Sequence, residues 1–307
     1  MGHRDHRHRN KQEMLENRKT EALLAVIETG SFDLAASKLN ITASAISQRI
    51  RSLEAFLGVP LVIRTRPCRS TQEGLKLVQY LRRTKILANE FEAEFSRNPD
   101  SAIRIAIAVN NDSLGTWLLP ALAEFIIREN ILVDIRVNDQ TFTHRALEEG
   151  TVIAAVSSRD IAMRGCVATR LGAVRYRLLA SRQFITRWFL NGISRETISK
   201  APLLVFDDKD TLQSDFISIH FNVRQESCRC HFIPSTEAFL SAINLGIGYG
   251  MVPELHYKDA LTAGNLVDVS PGNYTDIPLY WHHWGVQSPK VEILTTCLIK
   301  EAKTLLL

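Results

Sequence analysis

Apolar residues in the first part of the chain recur at helical spacing, and turn residues interrupt them. "RKTEALLAVIETG" places Leu23, Leu24 and Ile27 before Gly30, which predicts a short amphipathic helix ending on a C-terminal glycine. "SFDLAASKLN" follows at once. Ser31 or Asp33 can cap it, Leu34, Ala35 and Leu39 share one side, and the small Ala35 and Ala36 let another helix approach closely. After a break at Asn40, Ile41 and Thr42, the positions Ile46, Ile50, Leu53 and Leu57 predict a third helix running to Gly58, with Thr42 as its cap. Two helices joined by so short a turn have helix-turn-helix spacing, although the glycine often found in that turn is absent.

Beyond Gly58 the run "VPLVIRTRPCRST" reads as a hairpin whose tip carries Arg64, Arg66 and Arg69 around Pro67. Thr71 can cap a long helix after it. Leu77, Leu81, Thr84, Ala88, Phe91 and Phe95 alternate in steps of four and three, the seam of a coiled coil, as far as Asn98-Pro99. This segment is read as a dimerising linker. From Ile103 the period changes: "AIRIAIAV", "ILVDIRV", "TVIAAVS", "YRLLAS", "PLLVFD", "RCHFIP" and "YGMVP" are β-prone. Helical patterns fall at roughly 116–129, 143–149, 210–221 and 236–245, an order that predicts an α/β domain with largely parallel sheets, divided into two lobes.

At 307 residues and 45% hydrophobic content the chain can bury a sizeable core. No stretch reaches the run of about 20 apolar residues needed to span a bilayer, and "MGHRDHRHRNKQEMLENR" lacks the apolar segment of a secretory signal. A cytoplasmic location is therefore expected. The five cysteines suit reduced thiols better than a disulfide framework. Charge is uneven: residues 1–89 hold 16 Lys/Arg against 8 Asp/Glu, and the remainder holds 21 against 25. A basic first third suggests a polyanion-binding module joined to something else. Within it, residues 1–17 read as a disordered basic arm. His3, His6 and His8 could chelate a metal there, but a solvated tail is the expectation.

Seating Ile46, Ile50, Leu53 and Leu57 in a core turns Ser44, Ser47, Gln48 and Arg51 outward, with Thr42 and Ala43 at the N-terminal tip. Short groups at the tip let a helix enter the major groove. Gln can read base edges, while Ser, Thr and Arg can hold phosphates. A solvated helix face is the alternative, and the basic hairpin, placed as a wing would be, weighs against it.

"FDLAASKLNITASAISQRIRSLEAFLGVPLVIRT", followed by "TQEGLKL", resembles the N-terminal domain of the LysR-type transcriptional regulators. The resemblance extends through "AVNNDSLGTWLLPALAEF", "FDD", "STEAF" and "LYWHHW", which are similar to the branch of arginine- and lysine-sensing regulators of basic amino-acid exporters. It implies a winged helix-turn-helix at 18–70, a linker helix at 71–98 that pairs two subunits, and a two-lobed α/β effector domain of periplasmic-binding-protein type. Lobe I would comprise 101–173 and 275–307, and lobe II 174–274. By position it implies that Ser44, Ser47, Gln48 and Arg49 face DNA, with Arg64 and Arg66 in the wing. Where the family commonly has Gln at the first turn of the recognition helix, this chain has Ala43, so readout there reduces to apolar contact or is missing.

In the C-terminal region Asn110, Asp112 and Ser113 follow a β-prone run and precede a helical one, the end of an α/β sheet where ligands bind. A helix N-terminus can hold an α-carboxylate and Asp112 an ammonium, although helix capping explains the same residues. The resemblance favours the pocket. Facing groups are expected from Asp139, Ser157, Asp207 and Ser235 or Thr236. The neutral Asn138 and Gln140 beside Asp139, where the branch often has carboxylates, leave open a neutral or different effector. "CRCH" at Cys228, Cys230 and His231 lacks a second ligand pair, and His282 and His283 read as packing or surface residues, so no metal and no cofactor are expected.

The expectation is a regulator, not an enzyme, with no nucleophile elbow, P-loop or zinc-binding HExxH in the sequence. Its partners would be promoter DNA, RNA polymerase, further copies of itself as homodimer or homotetramer, and a small effector, with an exporter gene as target. A small-molecule binding protein that uses its basic domain only as a scaffold is the rival reading.

Overall fold

In the computed structural model, residues 18–95, 103–137, 140–163, 165–257 and 264–307 are described, and they divide into two compact units near residue 101, with the short stretch 148–151 grouped with the first. The expectations for the arm at 1–17, the end of the linker and Asp139 lie outside the described residues. In the first unit α1 (Arg18–Thr29) buries Ala22, Leu23, Ala25 and Val26 and ends at Gly30 in the left-handed region, φ 66°. The hydroxyl of Ser31 caps α2 (Phe32–Lys38) by accepting from the Leu34 amide at 3.4 Å. Ala35 and Ala36 are the residues α2 buries. Turning that small pair inward turns Leu34 out, so it is 58% exposed instead of lining the core. Thr42 caps α3 (Ala43–Leu57), accepting from Ala45 N at 3.2 Å, and Gly58 ends it in the left-handed region. Ile46, Ile50 and Leu53 are buried as their spacing requires. Leu57 is exposed, because Leu61 from the next segment fills that end of the core.

A two-stranded antiparallel hairpin, β1 (Val62–Ile63) and β2 (Arg69–Ser70), leads into the long α4 (Gln72–Phe95). Thr71 joins the two. Its hydroxyl accepts from Gly74 N at 2.9 Å and donates to the Pro60 carbonyl at 2.7 Å. Along α4 the predicted seam is displaced. Val78 is buried, and Leu77 and Leu81 cover the helix-turn-helix core, which removes Leu81 from any exposed stripe. The large apolar groups that remain outside are Tyr80, Leu87 and Phe91, and with Thr84 they keep steps of four, three and four.

The second unit starts with β3 (Ile103–Val109), which enters a continuous helix, α5. That helix is α-helical at Asn111–Ser113, π-helical at Leu114–Leu118 and α-helical again at Leu119–Glu129. Then come β4 (Ile131–Val137), α6 (Gln140–Glu148) and β5 (Ala154–Ser157). β3 pairs in parallel with both β4 and β5. The 16-residue β6 (Cys166–Ser181) follows, then α7 (Arg182–Trp188), α8 (Arg195–Lys200) and β7 (Pro202–Val205). After these come α9 (Leu212–Phe221), β8 (Arg229–Phe232), α10 (Thr236–Asn244), β9 (Gly250–Pro253) and β10 (Leu266–Asp268). β11 (Thr275–Trp284) and α11 (Pro289–Leu305) complete the unit.

The strand order β10-β6-β11-β5-β3-β4, with β9 also on β6, corrects the expectation of a largely parallel sheet. β6 pairs antiparallel with β11, β9 and β10, and β11 pairs antiparallel with β5. The reason is covalent: the chain returns through β11, so the strands joining the two halves run in opposite directions. The first part of β6 lies beside β11 and its last residues lie between β9 and β10. Each half has its own apolar cluster. One gathers Ala108, Leu147, Val152, Ala155 and Trp284, and the other gathers Leu179, Leu204, Phe239, Ile243, Val252 and Tyr257.

Gly74 stands where α4 crosses the base of the hairpin, and a Cβ there would run into the Leu61 carbonyl oxygen. Since backbone and not a flexible side chain blocks the space, Gly74→Ala is expected to destabilise the first unit by about 1–3 kcal/mol or more. The check is a lowered thermal midpoint together with weaker DNA binding. A wild-type midpoint in the variant would contradict the packing described.

Candidate functional site

The outer face of α3 and the hairpin tip form one polar surface. Thr42, Ser44, Gln48 and Arg51 are exposed, and Ser47 and Arg49 are half-buried toward the flanks. Thr42 and Ser44 share a hydroxyl contact of 2.9 Å, so the tip is already ordered by its own side chains. Arg51 folds back on Ser47, donating Nη2–H to the hydroxyl at 3.2 Å. In the hairpin Arg64, Arg66 and Arg69 are all exposed, and the Arg64 guanidinium lies 5.1 Å from the centre of the Phe32 ring. That stack fixes the direction of one cation at the hairpin without neutralising it.

Glu54 holds helix and hairpin together, a role its sequence position does not announce. Its Oε1 accepts from the amides of Leu61 at 2.9 Å and Val62 at 3.3 Å. The only local hint is an acid directly after the core position Leu53. A second tie comes from Gly30, whose carbonyl accepts from Cys68 N at 2.7 Å and whose missing side chain leaves room for Pro67.

In the second unit Asp112 sits in the first turn of α5, at the carboxyl end of β3. Its Oδ2 accepts from the Tyr176 hydroxyl at 2.6 Å, and its Oδ1 accepts from the Thr236 hydroxyl at 2.7 Å. Tyr176 belongs to β6 where that strand leaves β11 for β9, and Thr236 begins α10 in the second half. One carboxylate thus touches both halves and the strand that joins them. Burial, then the nearby Asp112 and Asp210, push the Tyr176 phenol well above its usual range. Asp210 is half-buried between β7 and α9. Its carboxylate accepts from Phe206 N at 3.3 Å and Leu212 N at 2.9 Å. Burial raises its pKa, and Asp112 adds to the rise.

Of the other expected residues, Asn110 caps α5, accepting from Ser113 N at 3.2 Å. Ser113 is buried at 1% exposure, and its hydroxyl has no hydrogen-bond partner among the described residues. Ser157 is buried at the end of β5 and accepts from Arg159 N at 3.2 Å. Asp207 is turned to its own loop, accepting from the amides of Lys209 and Asp210 at 2.9 and 3.0 Å. Ser235 caps α10 at its exposed end. The structure therefore brings Asp112 and Thr236 together and adds Tyr176 and Asp210, neither of which the sequence singles out. Asp210 is one of three aspartates in "DDKD", and nothing in that run says which one turns inward.

Residues 18–75 match the family described as bacterial regulatory helix-turn-helix protein, lysR family, and residues 100–303 match the LysR substrate binding domain. The chain belongs to the LysR family. It is a LysR-type transcriptional regulator whose helix-turn-helix domain contains α1 to α3 and the hairpin. Among its relatives, the HTH-type transcriptional regulator ArgP of Klebsiella pneumoniae is 38% identical over 282 residues, covering 92% of this chain and 95% of that protein. The crystal structure of ArgP from Mycobacterium tuberculosis superposes with a TM-score of 0.82 at 37% identity, covering 95% of this chain and 98% of that one. Full-length LysG from Corynebacterium glutamicum with bound effector Arg gives 0.78 at 30% identity, covering 94% and 99%. In LysR terms α3 is the recognition helix, the hairpin is the wing, and Asp112 lies in the substrate-binding domain.

Other residues raised by the sequence have ordinary surroundings. Among the described residues no group of three or more His, Cys, Asp or Glu is arranged to hold a metal ion. Burial and the neighbouring Cys230 push the Cys228 thiol up to about 11, away from the reactive thiolate. No helix among the described residues is long and apolar enough to cross a membrane.

Removing the carboxylate in Glu54→Ala should weaken DNA binding about 10-fold or more, although Glu54 itself contributes no cation to a phosphate, because two wing amides lose their shared acceptor. A gel shift with unchanged affinity would exclude the tie. His282 is buried with Nε2 2.7 Å from the Arg159 carbonyl, and burial lowers its pKa. The unfolded chain therefore binds this proton more readily, so the stability from neutral His282 is present above the ordinary value of about 6.5 and is lost as pH falls below it. The fall in melting temperature between about pH 7 and 5.5 should be smaller in His282→Gln than in the wild type.

Proposed function

We propose that this regulator senses a basic amino acid, arginine or lysine, and controls the promoter of an amino-acid exporter gene. The observation that carries the reading is the pair Asp112 and Asp210. Both lie where the halves of the substrate-binding domain face each other, and neither is paired with a lysine or arginine among the described residues. Two acids without a cation of their own suit a ligand that brings one. The buried, unpartnered Ser113 hydroxyl at the start of α5 suits the α-carboxylate of the same ligand. Asp139, Ser157, Asp207 and Ser235 are the remaining candidates for the wall around it. The LysG relative was solved with arginine as its effector, and its sequence similarity supports the same ligand class here.

On DNA, Thr42, Ser44, Ser47, Gln48, Arg49 and Arg51 line the major groove, and Arg64, Arg66 and Arg69 follow the phosphate strand beside it. The exposed Tyr80, Leu87 and Phe91 of α4, with the half-buried Thr84 among them, pair with the same stripe of a second copy, and two such dimers form the tetramer. Effector binding shifts the population of tetramer shapes, and with it the DNA contacts and the access of RNA polymerase. No catalytic step belongs to this reading, and the protein acts in the cytoplasm.

A thermal-shift screen of the twenty amino acids tests the effector. At about 100 times its dissociation constant a ligand adds about 2.7 kcal/mol, enough to raise the melting temperature of a domain this size by roughly 5–10 °C. Arginine or lysine should do so. Stabilisation by a neutral amino acid, with both basic ones silent, would overturn the ligand class. On the upstream intergenic DNA, Gln48→Ala should lose about 1–3 kcal/mol of discrimination, whereas Arg64→Ala should weaken binding to all sequences and reduce the salt slope by about one.

A further inference from the structure

We propose that the Thr236 hydroxyl is an internal stand-in for the effector's ammonium, latching the substrate-binding domain shut on Asp112 until effector takes its place. The inference rests on the effector reading above and deepens it. Thr236 and Asp112 are 124 positions apart and belong to different halves of the domain, and their contact is 2.7 Å. Tyr176, the other donor to Asp112, stands on the connecting strand β6 at the crossing itself, paired with both Thr275 and Pro253, whereas Thr236 lies on a helix of the second half. Of the two bonds, the one from Thr236 is the one that opening must break.

The turn of α5 that faces this contact leaves only ordinary van der Waals room beside it. Gly115, in the π-helical turn of α5, faces Thr236 and His256. A Cβ at that glycine would lie 3.8 Å from the Thr236 methyl and 4.0 Å from the His256 ring. The π-helical turn itself is a local departure that occurs mostly at functional positions. The Thr236 side chain is buried, and its donor satisfies one oxygen of a carboxylate that no lysine or arginine pairs among the described residues. An ammonium offers stronger, charge-assisted bonds to the same two oxygens. It competes with the hydroxyl for Oδ1, and full use of that oxygen moves Thr236 aside. The latched state therefore binds effector more weakly, and the apparent affinity falls as the latched fraction rises.

The isosteric Thr236→Val keeps the volume and removes the donor. Isothermal titration of the full chain with L-arginine and with L-lysine, together with small-angle scattering of the effector-free protein, tests the latch. The expected result is affinity for the basic amino acid raised roughly tenfold, in line with a hydrogen bond to a charged group, and an effector-free domain that is more open than the wild type. Tyr176→Phe should not open the domain to the same degree. Weaker or unchanged affinity in Thr236→Val would overturn the latch and make Thr236 a positioning residue or a bystander. Should neither amino acid bind the wild type, the effector reading fails. Scattering then decides the latch alone, since an unchanged effector-free shape in Thr236→Val removes it.

Discussion

The antiparallel ladder between β6 and β11 is the constraint on which the substrate-binding domain depends. Both strands run the length of the junction, paired from Thr275 with Tyr176 to Trp284 with Cys166, with a single shift in register at Leu279 and Tyr280. Each half adds its own strands to this pair: β5 on β11, and β9 and β10 on β6. A hinge made of two hydrogen-bonded strands resists twisting in more directions than a single linker. It still permits the small bends that a two-lobed domain needs. Within this ladder Arg175 forms two bonds of 2.8 Å to Asp276 and lies 3.8 Å from the centre of the Tyr274 ring, which braces the crossing.

Because the crossing is held in this way, what distinguishes one state of the domain from another must come from contacts away from it. Asp112 is such a contact. It lies in the first turn of a helix, where a carboxylate is favoured by the exposed amides, and it draws donors from both other parts of the domain. A half-buried carboxylate persists when its lone pairs are satisfied, and here two hydroxyls satisfy one oxygen each. Asp210, raised in pKa by burial, adds to the preference of the region for an arriving positive charge.

Local pattern made much of the first unit legible. Gly30, Ser31, Thr42 and Gly58 mark helix ends by chemistry that acts within a few residues, and all four stand at the ends the structure shows. The core positions Ile46, Ile50 and Leu53 followed from period alone. Misreadings began where the partner of a face could not be known. Leu81 fits a heptad seam as well as Tyr80 does, and only the burial of Val78 tells which stripe is outside. In the second unit, strand existence was readable but direction was not. Whether "YRLLAS" runs with or against its neighbours depends on β9 and β10, roughly 70 to 90 residues later. The same distance hid Tyr176, whose role exists only because β6 passes Asp112. Helices α7 and α8, of seven and six residues, are too short to show a helical period, whereas α11 carries one in Val291, Leu294, Leu298 and Ala302 that the sequence reading leaves out.

The wing has a further consequence. Its base is tied to α3 through Glu54, to the turn after α1 through Gly30, and to α4 through Thr71 and Gly74. Recognition helix and wing are thereby a single rigid fork with a fixed gap between its prongs. Such a fork behaves like a caliper set once by the fold: little conformational entropy is left to lose on DNA, and the spacing between its two kinds of contact does not vary with sequence. A signal that alters DNA binding without breaking the fork has to act on where whole forks stand along the duplex.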